Sequence, residues 1–204
     1  MKTDLAIIGA GPGGYVAALR AAQLGMEVTL IECAHLGGVC LNRGCIPTKA
    51  MVQTALIAHE VRTAGAFGVV VDTPPRIDYG SALDRRDAVV KRLRNGVRGL
   101  LKHQKVRVLS GRAAFTGPQT LIVEPVPVDI GAGKSAALTE TQTLEASHII
   151  VATGSKPLAL SVPGADHPRV LDSDGALALV EVPSSILVVG AGPIGCEWSQ
   201  IFAR

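Results

Sequence analysis

A length of 204 residues accommodates one complete α/β domain and part of a second. Hydrophobic residues make up 48% and aromatics only 3%, with 23 glycines, as expected for buried parallel strands and Ala-rich helices. The net charge of +3 does not mark a nucleic-acid binder. Glycines also break the apolar N-terminus too early for a signal core or a membrane span, so a soluble, cytoplasmic protein is expected.

Leu5-Ala-Ile-Ile8 is a short apolar run that predicts a buried strand. The loop Gly9-Ala-Gly11-Pro12-Gly13-Gly14 follows, and Tyr15 to Leu24 continues in strong helix formers up to Gly25. Glu27-Val-Thr-Leu-Ile31 predicts a second strand with Glu32 at its end. Strand, glycine loop, helix and acid together form a dinucleotide-binding unit. The glycines let backbone approach a pyrophosphate, the helix N-terminus receives its charge, and Glu32 accepts from an adenosine ribose hydroxyl.

Next comes Gly37-Gly38-Val39-Cys40-Leu-Asn-Arg-Gly44-Cys45-Ile46-Pro47-Thr-Lys49. Bridged cysteines need Cα atoms about 4.4–6.8 Å apart, whereas residues five apart in a regular helix are separated by roughly 8–9 Å. A Cys40–Cys45 bridge therefore calls for a tight loop or a distorted turn, for which Gly44 supplies freedom. Pro47 suits a first helical position and pushes Ile46 towards extended geometry. Cys45 is then expected just before a helix N-terminus, where the dipole favours a thiolate. The segment reads as a redox-active dithiol. Zinc ligation would need a second Cys or His pair, and a static disulfide suits a secreted chain, so both are weaker readings.

A helix is predicted from about Ser81 to Gln104, with Ala82, Val89, Val90, Leu93, Val97, Leu100 and Leu101 as its apolar stripe. Its cluster Arg85, Arg86, Lys91, Arg92, Arg94, Arg98 and Lys102 reads as a solvated face, because no aromatics interleave with it as nucleic-acid binding would require. From about Val106 to Leu144 a β-meander is expected as an insertion. Gly131-Ala-Gly-Lys-Ser135 within it mimics a phosphate loop, but the required earlier glycine falls at Val128. His148 to Val151 reads as a strand running into Ala152-Thr153-Gly154-Ser155, and prolines mark a crossover up to Pro183.

Ser185-Ile-Leu-Val-Val189 predicts another strand, followed by a second glycine loop, Gly190-Ala-Gly192-Pro193-Ile194-Gly195-Cys-Glu197. Two such units suggest two dinucleotides, a flavin and a nicotinamide. Glu197 near a helix start that should face a pyrophosphate is expected to turn instead towards a cation.

On these motifs the chain resembles the flavoprotein disulfide reductases, nearest to the branch that oxidises dihydrolipoamide. Arg43 and Thr48 stand where that branch more often carries valine and serine. The resemblance implies a Rossmann-like FAD domain over residues 1–154, with the dithiol loop at 37–49 and a meander at about 106–144. Residues 155–204 would then be a crossover and the incomplete start of a second, NAD-binding Rossmann domain. It implies non-covalent FAD on Gly9, Gly11, Pro12, Gly13 and Gly14, with Glu32 on the ribose. Gly38, Val39, Cys40, Ala113, Thr153, Gly154 and Ser155 would lie along the same cofactor. Cys45 would be the flavin-side sulfur and Cys40 the interchange thiol. Lys49 would approach the flavin and pair with Glu197, while Gly190, Gly192, Pro193, Ile194 and Gly195 would bind NAD. Implied partners are the lipoyl domain of a 2-oxo acid dehydrogenase complex and a second subunit in a homodimer, with no nucleic acid or membrane. A related disulfide or mercuric reductase, or a non-catalytic FAD-binding redox module, are the alternatives. Because a βαβ unit takes roughly 30 residues, the second unit is cut short, and an N-terminal fragment inactive by itself is expected.

Overall fold

A computed structural model describes residues 1–127, 130 and 137–203. The chain forms two compact units, Met1–Asn42 with Lys91–Lys156, and Arg43–Val90 with the segment from Pro157 onward.

The first unit is built on five strands: β1 (Lys2–Ile8), β2 (Val28–Glu32), β3 (Arg107–Gly117), β4 (Thr120–Pro125) and β5 (Gln142–Val151). β1 lies between β2 and β5 and is parallel to both, and β2 is parallel to β3. This is the predicted Rossmann-like sheet, and β2 is buried at every position, as a strand covered on both faces should be. β4 pairs antiparallel with β3 and β5, which closes the five strands into a ring. The meander is therefore present, but it is not a separable insertion, because its outer strands are the far ends of β3 and β5. The switch is abrupt. Glu32 still pairs with Ser110 in parallel, while the next residue, Gly111, pairs with Pro125 in antiparallel. A Cβ on Gly111 would meet Val123 Cγ1 at 2.6 Å and the Glu124 carbonyl oxygen at 2.7 Å, so only glycine fits where the strand changes partners. Ala6, Ile31, Leu109, Leu121, Val123, Leu144 and Ala146 form one core drawn from all five strands.

Helix α1 (Pro12–Gln23) follows β1, and Gly25 ends it at φ +89°, with its amide donating to Ala22 O and that of Met26 to Ala21 O. Helix α2 (Gly38–Arg43) is short and carries Cys40.

The second unit holds α3 (Cys45–Thr63), a 3-10 turn (Ala64–Phe67), the start of α4 (Tyr79–His103), α5 (Ser173–Leu177) and α6 (Pro193–Ala203). Met51, Ala82, Ala176, Leu177, Trp198 and Ile201 make its core, with Trp198 stacked on Phe202 at 5.4 Å between ring centres. α4 covers the predicted span. Ala82, Val90, Val97 and Leu101 of its stripe are buried, but Leu93 and Leu100 are 38% and 55% exposed. Its basic face is not wholly solvated either. Arg85 donates to Ala50 O, Arg86 to Leu177 O and Arg94 to Asn42 Oδ1.

Ser185–Val189 is not a strand. An extended run acquires its ladder only from neighbours; among the described residues none pairs with it, and Leu187 and Val189 stand 88% and 73% exposed. Gly131–Ser135, and Val128 before it, lie outside the described residues. Among the described residues no helix is long and apolar enough to cross a membrane.

Candidate active site

The first glycine loop lies between the C-terminal ends of β1 and β5. Gly9 adopts φ +101°, and a Cβ there would sit 2.8 Å from Ala152 C and 3.2 Å from Thr153 Cα. The Ala152-Thr153-Gly154 turn therefore forms one wall of the loop. A Cβ on Gly14 would run into the Gly9 carbonyl oxygen, so glycine there lets α1 pack down on β1. Gly38 is the third close approach, where a Cβ would sit 2.6 Å from Gly11 Cα. Gly37 N–H also donates to Ala10 O at 2.9 Å, which draws the start of α2 onto the loop.

Glu32 is held at the same end of the sheet. Its Oε2 accepts from Ala10 N–H at 2.7 Å, and its Oε1 accepts from Cys33 N–H at 3.0 Å and Ala34 N–H at 2.7 Å. A carboxylate offers about four acceptor positions, so three backbone donors fix its orientation and leave room for a ribose hydroxyl. α1 opens on Pro12 with no side-chain cap at Gly11 and no acidic residue in its first turn. The positive dipole end of the helix fits an anionic pyrophosphate, and the Gly9–Gly11–Gly38 cradle admits one at backbone distance. These residues fit FAD. Ala113 lies three residues beyond Ser110, the β3 partner of Glu32, and pairs with Val123 of β4.

The second loop repeats this geometry. Gly190 takes φ +108°, and a Cβ on Gly195 would run into the Gly190 carbonyl oxygen. Gly192 O accepts from Cys196 N–H at 3.0 Å, as Gly11 O accepts from Tyr15 N–H at 2.9 Å. Pro193 opens α6 as Pro12 opens α1. Val188, Gly190, Ala191, Gly195, Cys196 and Ser199 line an open concavity here, and Ile194 is 60% exposed beside them. The donor set suits the pyrophosphate of a second dinucleotide.

The dithiol segment departs from expectation in one respect. Cys45 is itself the first residue of α3, Gly44 caps it, and Thr48 N–H closes the first turn on Gly44 O at 3.1 Å. Ile46 is thus helical rather than extended, and Pro47 is the third residue rather than the first. A proline there costs nothing, since the first amides of a helix lack intrahelical acceptors and the carbonyl its ring would strike belongs to Arg43, outside the helix. Cys40 is half-buried in α2, Val39 beside it is 42% exposed, and Cys45 is exposed.

Lys49 stands one turn beyond Cys45 on α3, and its ammonium pairs with Glu197 Oε1 of α6. The cation expected for Glu197 is therefore Lys49. Sequence reasoning missed two further contacts. Arg43 pairs with Asp174 at 3.1 Å, for which no motif gives a signal. Asn42 is enclosed in hydrogen bonds, and its place between the two cysteines was the available hint. Among the described residues no group of three or more His, Cys, Asp or Glu could hold a metal ion.

The profile of the pyridine nucleotide-disulphide oxidoreductases matches residues 3–204. Dihydrolipoyl dehydrogenase of Halobacterium salinarum is 47% identical over 99% of this chain and 40% of its own length. That of Bacillus subtilis is 39% identical over 98% of this chain and 41% of its own. The solved Cu(II) complex of the HOCl-induced flavoprotein disulfide reductase RclA from Escherichia coli superposes with a TM-score of 0.78. It is 30% identical and covers 100% of this chain and 40% of that one. The chain thus spans about 40% of the length of these proteins.

Proposed function

The chain belongs to the pyridine nucleotide-disulphide oxidoreductase family, and from that premise we propose that it forms the N-terminal part of an FAD-dependent dihydrolipoyl dehydrogenase. In this reading the enzyme is cytoplasmic and homodimeric, and it oxidises dihydrolipoamide carried on the lipoyl domain of a 2-oxo acid dehydrogenase complex. Cys40 and Cys45 form the exchanging disulfide. A substrate thiolate attacks Cys40 Sγ and displaces Cys45. The second substrate thiolate then displaces Cys40, so the substrate leaves as a disulfide and both cysteines remain reduced by two electrons. FAD, when bound, carries that electron pair to NAD⁺ as a hydride.

The chain's own contribution is placement. The first glycine loop and Glu32 hold the adenosine and pyrophosphate of FAD, and the second loop receives NAD. The observation that carries the reading is the Lys49–Glu197 pair one turn beyond Cys45. With side chains 58% and 24% exposed, such a pair contributes about 0–1 kcal/mol to stability. Its value lies instead in fixing an ammonium beside the thiol that opens α3. The relatives' shared name supports dihydrolipoamide as substrate.

Titration of the complete FAD-loaded enzyme with dithiothreitol tests this. A long-wavelength charge-transfer band after two electrons, abolished in Cys45→Ser, is expected. A reduced flavin with no such band at any stage would remove the cysteines from the chemistry. NAD⁺ reduction by dihydrolipoamide is the expected steady-state activity. Its absence alongside NADH-driven reduction of another disulfide would reassign the enzyme to a sister activity.

A further inference from the structure

Asn42 lies in α2, two residues after Cys40, and its side-chain amide is almost fully used. Nδ2 donates to Leu36 O at 2.9 Å and to Gly38 O at 2.8 Å, and Oδ1 accepts from Arg94 Nε of α4 at 2.8 Å. An asparagine amide offers two donors and two acceptor positions, so three of the four are engaged. These bonds matter because α2 has only six residues. A helix that short does not hold its shape by propagation and depends on outside contacts.

The bonded carbonyls are informative. Leu36 precedes the helix and Gly38 begins it, so Asn42 closes the 36–42 segment upon itself. Gly38 in turn lies against Gly11, and Gly37 donates to Ala10 O. A chain of contacts therefore runs from Asn42 to the first glycine loop, with Cys40 inside it.

Arg94 decides which way the amide faces. Its Nε–H needs an acceptor, so the oxygen must point to the guanidinium and the NH₂ to the two carbonyls. The flipped amide would set donor against donor at Arg94 and acceptor against acceptor at Leu36 and Gly38. The Arg94 bond is charge-assisted and partly buried, which strengthens that choice.

We propose that Arg94 and Asn42 are a positioning pair that locks α2, and with it Cys40, onto the first glycine loop, so that exchange at Cys40 depends on a side chain of α4 far outside the dithiol motif. This rests on the dithiol function proposed above. Neither residue touches substrate; both act through the backbone that bears the thiol.

The test compares two half-reactions in the complete FAD-loaded enzyme: reduction by dihydrolipoamide, which needs Cys40, and NADH-driven reduction of ferricyanide, which does not. Arg94→Met and Asn42→Asp are the variants, the second keeping the acceptor for Arg94 while deleting both donors. Each is expected to slow dihydrolipoamide reduction by about tenfold, as for a reacting group displaced by a fraction of an ångström. Ferricyanide reduction and FAD content should stay near wild type, and Arg94→Lys, which retains a donor, should recover much of the loss. An unchanged dithiol half-reaction in both variants overturns the proposal. So does an equal fall of both half-reactions with loss of FAD, which would indicate a merely structural role. Cys40→Ser separates the two levels. If it leaves dihydrolipoamide reduction intact, the dithiol function itself fails; if it abolishes that reaction while Arg94→Met does not, only the positioning pair fails.

Discussion

Lys105 is the one non-glycine residue among those described with a positive φ, +57°. It follows the end of α4, where its amide donates to Lys102 O and that of Val106 donates to Leu101 O, a left-handed helix stop in which glycine is the usual occupant. A β-carbon there costs about 1–2 kcal/mol, partly offset by the greater unfolded-state freedom of glycine. Lys105→Gly is therefore expected to stabilise the protein by about 0.5–1 kcal/mol in urea denaturation; a loss of stability would contradict the account. Lys49→Met should change the same measurement by less than about 1 kcal/mol, because the lysine side of the pair it breaks is more than half exposed to water. At this scale the loop glycines were legible, since Gly9, Gly14 and Gly195 are forced by close approach to backbone and Gly190 by its φ of +108°. Lys105 was not. Its conformation is imposed by the short passage from α4 into β3, which no local preference announces.

Helix α4 is fixed at its other end by Asp78, whose carboxylate accepts from Ser81 N–H at 3.1 Å and Ser81 Oγ–H at 2.9 Å. The Ser81 backbone bond, helped by its hydroxyl, lowers the Asp78 pKa below its ordinary 3.8, despite a small opposing effect of burial. A carboxyl whose folded pKa is depressed adds stability above its unfolded pKa and loses it as pH falls through the folded value. Asp78→Ala should accordingly lower the melting midpoint by a few degrees at neutral pH, and the gap from wild type should close below about pH 4. A gap that persists unchanged in acid would exclude the cap as its cause. The span of α4 was readable from its apolar spacing, but the inward turn of Arg85, Arg86 and Arg94 was not. Charge pattern marks a polar face, yet long side chains can leave that face to reach carbonyls the sequence does not locate. The start of α3 shows the same limit, because the proline rule that fixes Ile46 as extended gives way to a helix already begun at Cys45.

Across the molecule, two glycine loops share one local geometry but differ in their strands. β1 is paired on both sides, whereas no described residue pairs with Ser185–Val189. Amide hydrogen exchange of this chain should therefore show Leu5–Ile8 among the slowest amides and Ser185–Val189 among the fastest; slow exchange in the second segment would mean that a ladder forms there. The parallel sheet was legible from the motif and its flanking runs. The continuity of β3 and β5 with the meander was not, because a change of partner in mid-strand leaves the hydrophobic alternation intact and is marked only by Gly111.

The pairing of Ile8 with Val151 joins positions 143 apart. At a synthesis rate of about 5–20 residues per second, roughly 7–30 s pass between making the first strand and making the one that flanks it. Gly9 meets its wall at Ala152 only after that. On the ribosome, the glycine-loop cradle near the start of the chain is thus completed only once Ala152 has been made, and a nascent polypeptide stalled before Ala152 should carry both Cys40 and Cys45 but retain no flavin.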